Sequence, residues 1–313
     1  MVFVHGWPEQ SLSWRHQLPV FGGLGFRAIA PDMRGYGRSS IYLQHADYAQ
    51  ELVVADMLRL LNGLGRDKAI WIGHDWGSPT VWNLTNHHPQ RCSAVANLCV
   101  PYAALDRGLD AALEYVDRDV YPRAEFPAGQ WEYMRFYEQQ FDAAIAPFEA
   151  NPYNTLKALF RKGNPRGQGK PSPTAYVRKQ HGWFGGAAEA PDVPRDADVV
   201  SEDDLYAYSE ALSRNGFFGP CSYYMNHNAN AKYAAKALTD GVLEMPVLFL
   251  HGLFDYTCET TQSRLAEPMR ALCRNLTERT IESGHWMAQE RPCEVNAALA
   301  QWLATSVPGS FGC

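Results

Sequence analysis

The chain has 313 residues, 46% hydrophobic and 20% charged, which is enough apolar side chain to build a core and excludes wholesale disorder. At ~150 residues per domain it holds two domains' worth of chain, or one large α/β unit with an insertion. Its 28 basic and 34 acidic residues leave a formal charge of −6, with no electrostatic pull toward nucleic acid.

The N-terminus carries no basic segment followed by an apolar stretch, so no secretory signal is expected. Val2-Phe3-Val4 reads as a strand feeding a turn at His5-Gly6-Trp7-Pro8. Further short apolar runs follow at Ala28–Ala30, Ala69–Ile72 and Ala94–Cys99. Continuous runs of this kind suit parallel strands buried on both faces. Between them lie helical patterns. Asp47 is placed to cap one, with Gln50 three residues on and Leu52, Val53, Met57, Leu60, Leu61 and Leu64 following. That run is no membrane span, which needs roughly 18 apolar residues, because Asp56, Arg59 and Asn62 interrupt it. Pro79–His87 reads as a second helix. The alternation predicts a doubly wound, mostly parallel α/β sheet.

The alternation stops near Pro101 and resumes at Pro246–Leu250. Between them Leu109–Tyr115, Gly129–Phe141 and Asn154–Phe160 read as helices, and Ser201-Glu202-Asp203-Asp204 as the capping box of another that stops at Asn215-Gly216. The expected organisation is a core of 1–101 and 244–313, with 102–243 as a helical lid over the C-terminal edge of the sheet. After strand 246–250 come a predicted helix at Thr260–Leu272, a strand at Thr277–Ile281 and a helix at Glu294–Thr305. Seven cysteines, none in a Cys-x-x-Cys pair, are expected to be reduced thiols of a cytoplasmic protein rather than a disulfide frame or zinc site. Cys313 is the last residue, the wrong place for prenylation.

The chemistry concentrates where predicted strands end. Gly73-His74-Asp75-Trp76-Gly77 joins a strand to a helix through a sharp turn of small residues, with a carboxylate at its apex. That is the form of a nucleophile elbow, with Asp75 as the nucleophile. The plainer alternative is a βα turn with an N-cap aspartate. Elbow enzymes order their residues nucleophile, acid, histidine. His285 is the sole histidine after Asp255, and both follow predicted strands. Glu259 and Asp106 compete with Asp255 for the role of the acid. An oxyanion hole needs two backbone N–H groups beside the elbow, expected from Trp76 and from Trp7 in the first loop.

Taken together, His5-Gly6-Trp7-Pro8, Asp32–Gly37, Gly73–Gly77, Asp255 and Gly284-His285-Trp286 resemble the epoxide hydrolases of the α/β-hydrolase fold. The resemblance covers nearly the whole chain. It implies hydrolysis of a lipophilic epoxide to a vicinal diol through an ester of Asp75, without metal or organic cofactor. It implies two lid tyrosines that polarise the epoxide oxygen, Tyr133 and Tyr224 by context, with Tyr137 and Tyr223 as neighbouring competitors. The expected partners are a small epoxide and water, in a monomer or homodimer without a membrane span. Haloalkane dehalogenases share the His-Asp-Trp-Gly elbow and are the rival enzyme reading. A non-catalytic ligand-binding protein of the same fold is the rival outside enzymes. Two departures stand out. The family's strand hairpin before the first strand is missing, so Ala28–Ala30 is expected as an exposed edge strand of a truncated product. Arg38 stands where the family often has Asp.

Overall fold

The computed structural model describes residues 1–238, 240–307 and 309. The C-terminal Ser310–Cys313, on which the prenylation reading rests, lies outside the described residues.

Five parallel strands form one sheet in sequential order: β1 (Val2–Val4), β2 (Ala69–His74), β3 (Cys92–Leu98), β4 (Leu243–Gly252) and β5 (Cys273–Ile281). The inner strands carry continuous apolar runs at their centres because both faces are covered there. Trp71, Val95, Val247 and Phe249 point to one face, and Ile70, Ile72, Ala94, Ala96, Leu248 and Leu250 to the other. The period of two sorts neighbours onto opposite sides. Helices α1 (Leu18–Gly23), α2 (Gln50–Gly63) and α3 (Gly77–His87) follow the first strands. Val53, Met57 and Leu61 of α2 and Val81 and Trp82 of α3 join the first face. Phe21 of α1 joins the second.

Between β3 and β4 no strand occurs among the described residues. The segment instead holds α4 (Leu109–Leu113), α5 (Glu132–Gln139), α6 (Phe141–Ala150), α7 (Pro152–Leu159), α8 (Glu202–Asn215), α9 (Phe218–Ser222) and α10 (His227–Ala234). The Ser201 capping box is present, its hydroxyl accepting from Asp204 N–H and the Asp204 carboxylate from Ser201 N–H. Helices α11 (Glu267–Leu272), α12 (Met287–Glu290) and α13 (Pro292–Ser306) complete the chain. Val295, Leu299 and Trp302 of α13 cover the second face of the sheet.

Four expectations need correction. Helix α2 begins two residues beyond the Asp47 cap, with Ala49 as N-cap. The carbonyl of Asp47 is taken by the Arg34 guanidinium, and the first free amide, Gln50 N–H, donates to Asn230 Oδ1 at 2.9 Å. The helix expected over Thr260–Leu272 is confined to α11. Glu259 collects the N–H groups of Thr261, Gln262 and Ser263, and Thr260 Oγ1 bonds His251 Nδ1 at 2.8 Å, so the preceding residues form a pinned loop. The Gly129–Phe141 helix breaks at Gln140, whose φ of −146° leaves helical space. Ala28–Ala30 forms no full strand. Ile29 alone bridges to Val2, accepting from Phe3 N–H at 2.8 Å and donating to Met1 O at 3.1 Å.

Candidate active site

Parallel strands put all their carboxyl ends on one edge, and the chemistry-bearing residues lie just past them. Asp75 follows β2, Asp255 follows β4 and His285 follows β5. Asp75 adopts φ 48°, a left-handed conformation that a non-glycine residue occupies only when its surroundings impose it. The imposition comes from two close approaches. A Cβ on Gly77 would overlap the Val4 carbonyl, and one on Gly6 would overlap Asp75 Oδ1 and the Trp76 amide nitrogen. The elbow and the first loop are thus pressed together with no room for side chains at either glycine.

The carboxylate at the apex has two distinct oxygens. Asp75 Oδ1 accepts the Trp7 N–H at 2.6 Å, and Oδ2 faces His285 Nε2 at 3.3 Å. His285 Nδ1 lies 2.7 Å from Asp255 Oδ2. Asp255 Oδ1 accepts from the Thr257 and Cys258 amides, each at 3.1 Å, so the acid is fixed at both oxygens. Burial alone would raise its pKa, but the His285 charge and these donors hold it below the usual carboxylate range. Burial likewise pushes the His285 imidazole down. The Asp255 charge, and hydrogen bonds to Asp255 and Asp75, outweigh this and lift it well above its ordinary value.

The rival acids are occupied elsewhere. Glu259 closes its own loop, and Asp106 is fully buried, accepting from Ala104 N–H at 2.9 Å. Arg38 is exposed, and its backbone N–H donates to Asp32 Oδ2 at 3.1 Å.

A cleft of 420 Å³ opens above Asp75, walled near the carboxylate by Trp7, Tyr133, Trp183, Tyr224 and His285. Arg161, Lys162 and Asn164 form its exposed rim. The Tyr133 and Tyr224 rings meet edge to face at 5.6 Å, and Trp183 packs on both Tyr133 and Trp7, at 5.2 and 5.5 Å. Burial, with the nearby Asp75 charge adding to it, raises both phenols well above their ordinary pKa, so they stand as neutral O–H donors. The neighbouring tyrosines are placed differently. Tyr223 donates to Arg34 O at 3.1 Å, and Tyr137 is fully buried beside Cys221 and Trp183, behind the cleft wall.

Sequence reading missed a second buried ion pair directly behind this site. Glu9 Oε2 lies 2.7 Å from His74 Nδ1, and each residue is 1% exposed. His74 Nε2 lies 2.7 Å from the His285 carbonyl, and Gly6 N–H donates to Glu9 Oε2 at 3.2 Å. The pair therefore ties the first loop, the elbow and the histidine loop to one another. Its signal was present as Glu9 beside Pro8 and His74 beside Asp75, but only burial distinguishes a structural charge from a solvated one. The set His74, Cys99 and His285 brings potential ligand atoms within 4.8 Å, yet both imidazoles already engage both of their nitrogens.

The pair has a defined pH signature. Burial opposes charge on both partners, yet mutual attraction and hydrogen bonding hold Glu9 at about 2 and lift His74 to about 10. A depressed acid contributes stability above its unfolded value of 4.5 and loses it as pH falls toward 2. A raised histidine contributes below its unfolded value of 6.5 and loses it as pH rises toward 10. Glu9→Gln will cost about 3–5 kcal/mol, the scale for stranding one partner of a buried pair. The gap from wild type will be widest between pH 4.5 and 6.5, read from denaturant unfolding across pH. A gap independent of pH would refute the ion pair.

A parallel sheet with a carboxylate elbow, an acid and a histidine in that chain order defines a hydrolase of the α/β type. Residues 1–292 match the alpha/beta hydrolase fold family, and the chain belongs to it, on its epoxide-hydrolase branch. It is 32% identical over 312 residues to Epoxide hydrolase A of Mycobacterium tuberculosis, covering 97% of this chain and 89% of that one. It is 33% identical to Bifunctional epoxide hydrolase 2 of Rattus norvegicus, over 97% of this chain and 51% of the relative. The chain thus spans about half the length of the mammalian relatives it matches. Among solved structures, Epoxide Hydrolase A from Mycobacterium thermoresistibile superposes with a TM-score of 0.74 at 30% identity, covering 97% of this chain and 90% of that one.

Proposed function

We propose that the protein hydrolyses a lipophilic epoxide to a vicinal diol through a covalent ester of Asp75. The observation that carries this reading is the division of labour between the two Asp75 oxygens. Oδ2 faces His285 and is assigned as the attacking atom, while Oδ1 rests on the Trp7 N–H. Attack on a ring carbon breaks its bond to the epoxide oxygen. The departing alkoxide takes a proton from Tyr133 or Tyr224, since an unassisted alkoxide is a poor leaving group. Oδ1 is then the carbonyl oxygen of the ester, already seated in the hole where negative charge develops when water attacks. We assign the second donor to the Trp76 N–H from its place directly after the nucleophile; the amide contact that Oδ1 makes in the free enzyme is the one from Trp7.

Esterification also switches the base on. It removes the Asp75 charge that helped to hold His285 protonated, so the imidazole pKa falls once the ester exists. The imidazolium proton passes to the tyrosinate left by the first step, Asp255 continues to orient the ring, and neutral Nε2 takes a proton from the attacking water. The tetrahedral intermediate then breaks the bond between the Asp75 carbonyl carbon and Oδ2; the diol oxygen leaves with the imidazolium proton, and the new Asp75 carboxyl gives its own proton back to His285, which restores the carboxylate and the protonated imidazole. The segment between β3 and β4 acts as the cap, supplying the tyrosines. We place the protein in the cytoplasm, a reading supported by six free thiols among the described residues.

The test is a single turnover in ¹⁸O-water with the enzyme in excess. Asp75 supplies the oxygen of the first bond, so the first diol will carry no label, and the label will appear in the Asp75 peptide by mass spectrometry. Label in the first diol would establish direct water attack and overturn the reading.

A further inference from the structure

Two spaces of very different size meet at the reacting carboxylate. One is the 420 Å³ cleft. The other holds about 10 Å³. Asp75, Tyr133, Tyr224 and Thr257 border both, and beyond these four the walls share no residue. The small space is closed by Trp76, Pro79, Val100, Leu105, Met134 and Cys258. All six are buried, Met134 to 1% exposure and Val100 to 2%.

An epoxide held between the Asp75 carboxylate and two phenol hydroxyls lies where these spaces join. Its two ring carbons carry substituents that leave in opposite directions along the ring C–C bond. One direction follows the cleft. The other enters a space that admits about one water-sized group. A hydrogen fits there, a methyl group crowds it, and a phenyl ring or alkyl chain meets a closed wall. The wall does not give readily, because close-packed interiors resist added volume.

We infer that the substrates are terminal epoxides, with one large apolar substituent lying along the aromatic cleft and only hydrogen on the other ring carbon. This rests on the epoxide-hydrolase reading above. Met134 and Leu105 are the specificity-determining wall. They set which ring carbons can be substituted, while Trp7, Trp183 and Phe184 line the arm that accepts bulk.

The experiment compares kcat/KM for styrene oxide, trans-β-methylstyrene oxide and trans-stilbene oxide, which add nothing, one methyl and one phenyl group to the second carbon. A single methylene already discriminates by about 10–200-fold in a fitted pocket. Stilbene oxide will therefore fall at least about 10²-fold below styrene oxide, with the methyl compound between them. Met134→Ala and Leu105→Ala enlarge the small space and will raise the stilbene-to-styrene ratio by about tenfold or more. Stilbene oxide turned over within tenfold of styrene oxide by the wild type would overturn the inference and leave the epoxide reading standing. A low ratio that neither folded variant raises would also overturn it, since the wall would not be its cause. The wild-type comparison decides the matter even if a variant fails to fold. If none of the three epoxides is hydrolysed or forms an ester on Asp75, the epoxide reading itself fails and this inference falls with it.

Discussion

His285→Gln will release almost no diol and will accumulate one equivalent of ester on Asp75. Alkylation needs a carboxylate and a proton donor for the leaving oxygen, and neither is His285. Hydrolysis of the ester needs a base for water, and the variant has none. Turnover will fall by about 10⁴-fold or more, the scale seen when a triad base is removed. The trapped ester separates this from misfolding, because a collapsed site would not alkylate at all. In the wild type the hydrolytic step will slow in acid as the imidazole takes up its proton. Esterification lowers its pKa from the raised value of the free enzyme, so this acid limb will lie below the pKa of free His285 read by NMR titration. An ester that hydrolyses at the wild-type rate in His285→Gln would remove His285 from the mechanism.

The two cleft phenols carry the second large effect. Tyr133→Phe and Tyr224→Phe keep the ring contacts and delete the donors, so each will slow alkylation by about 10²–10⁴-fold. The double variant will bring it close to zero. Hydrolysis of preformed ester will change little, because the epoxide oxygen has by then become an ordinary alcohol. Tyr137→Phe and Tyr223→Phe are the controls. Tyr223 spends its hydroxyl on the Arg34 carbonyl, and Tyr137 sits behind the cleft wall. Pre-steady-state alkylation by all four single variants decides the assignment. A large effect at Tyr137 or Tyr223 alone would move the donor role to that residue.

The strands were readable because a chain segment buried on both faces must be apolar throughout, and Ala69–Ile72 and Pro246–Leu250 are. The elbow was readable because its tight turn demands small residues around Asp75. Chain order then singled out His285 but left Asp255 in competition with Glu259 and Asp106; the fold puts Asp255 Oδ2 2.7 Å and Asp75 Oδ2 3.3 Å from the two His285 nitrogens. What escaped was set by partners far away in sequence. Nothing near Asp47 announces that Arg34 will take its carbonyl, and nothing near Thr260 announces the bond to His251. Tyr133 and Tyr137 lie one helical turn apart and read alike, and only the packing of α5 among the other elements between β3 and β4 sends one to the cleft. Nothing in the sequence around Glu9 marks it as buried, yet it is enclosed with His74 behind the loops of the site.

The contact between Gly6, Gly77 and the elbow has a bearing on how such a protein diverges. Any side chain at either glycine collides with main chain, so almost every random substitution there is an evolutionary dead end. Met134 and Leu105, by contrast, line the small space, and side chains there can shorten without the main-chain collisions that close off the two glycines. The geometry of the elbow is therefore tightly constrained, while the proposed substrate wall is open to change at single positions. On the proposed epoxide-hydrolase reading, shortening the wall would widen the range of epoxides accepted while leaving the elbow contacts intact.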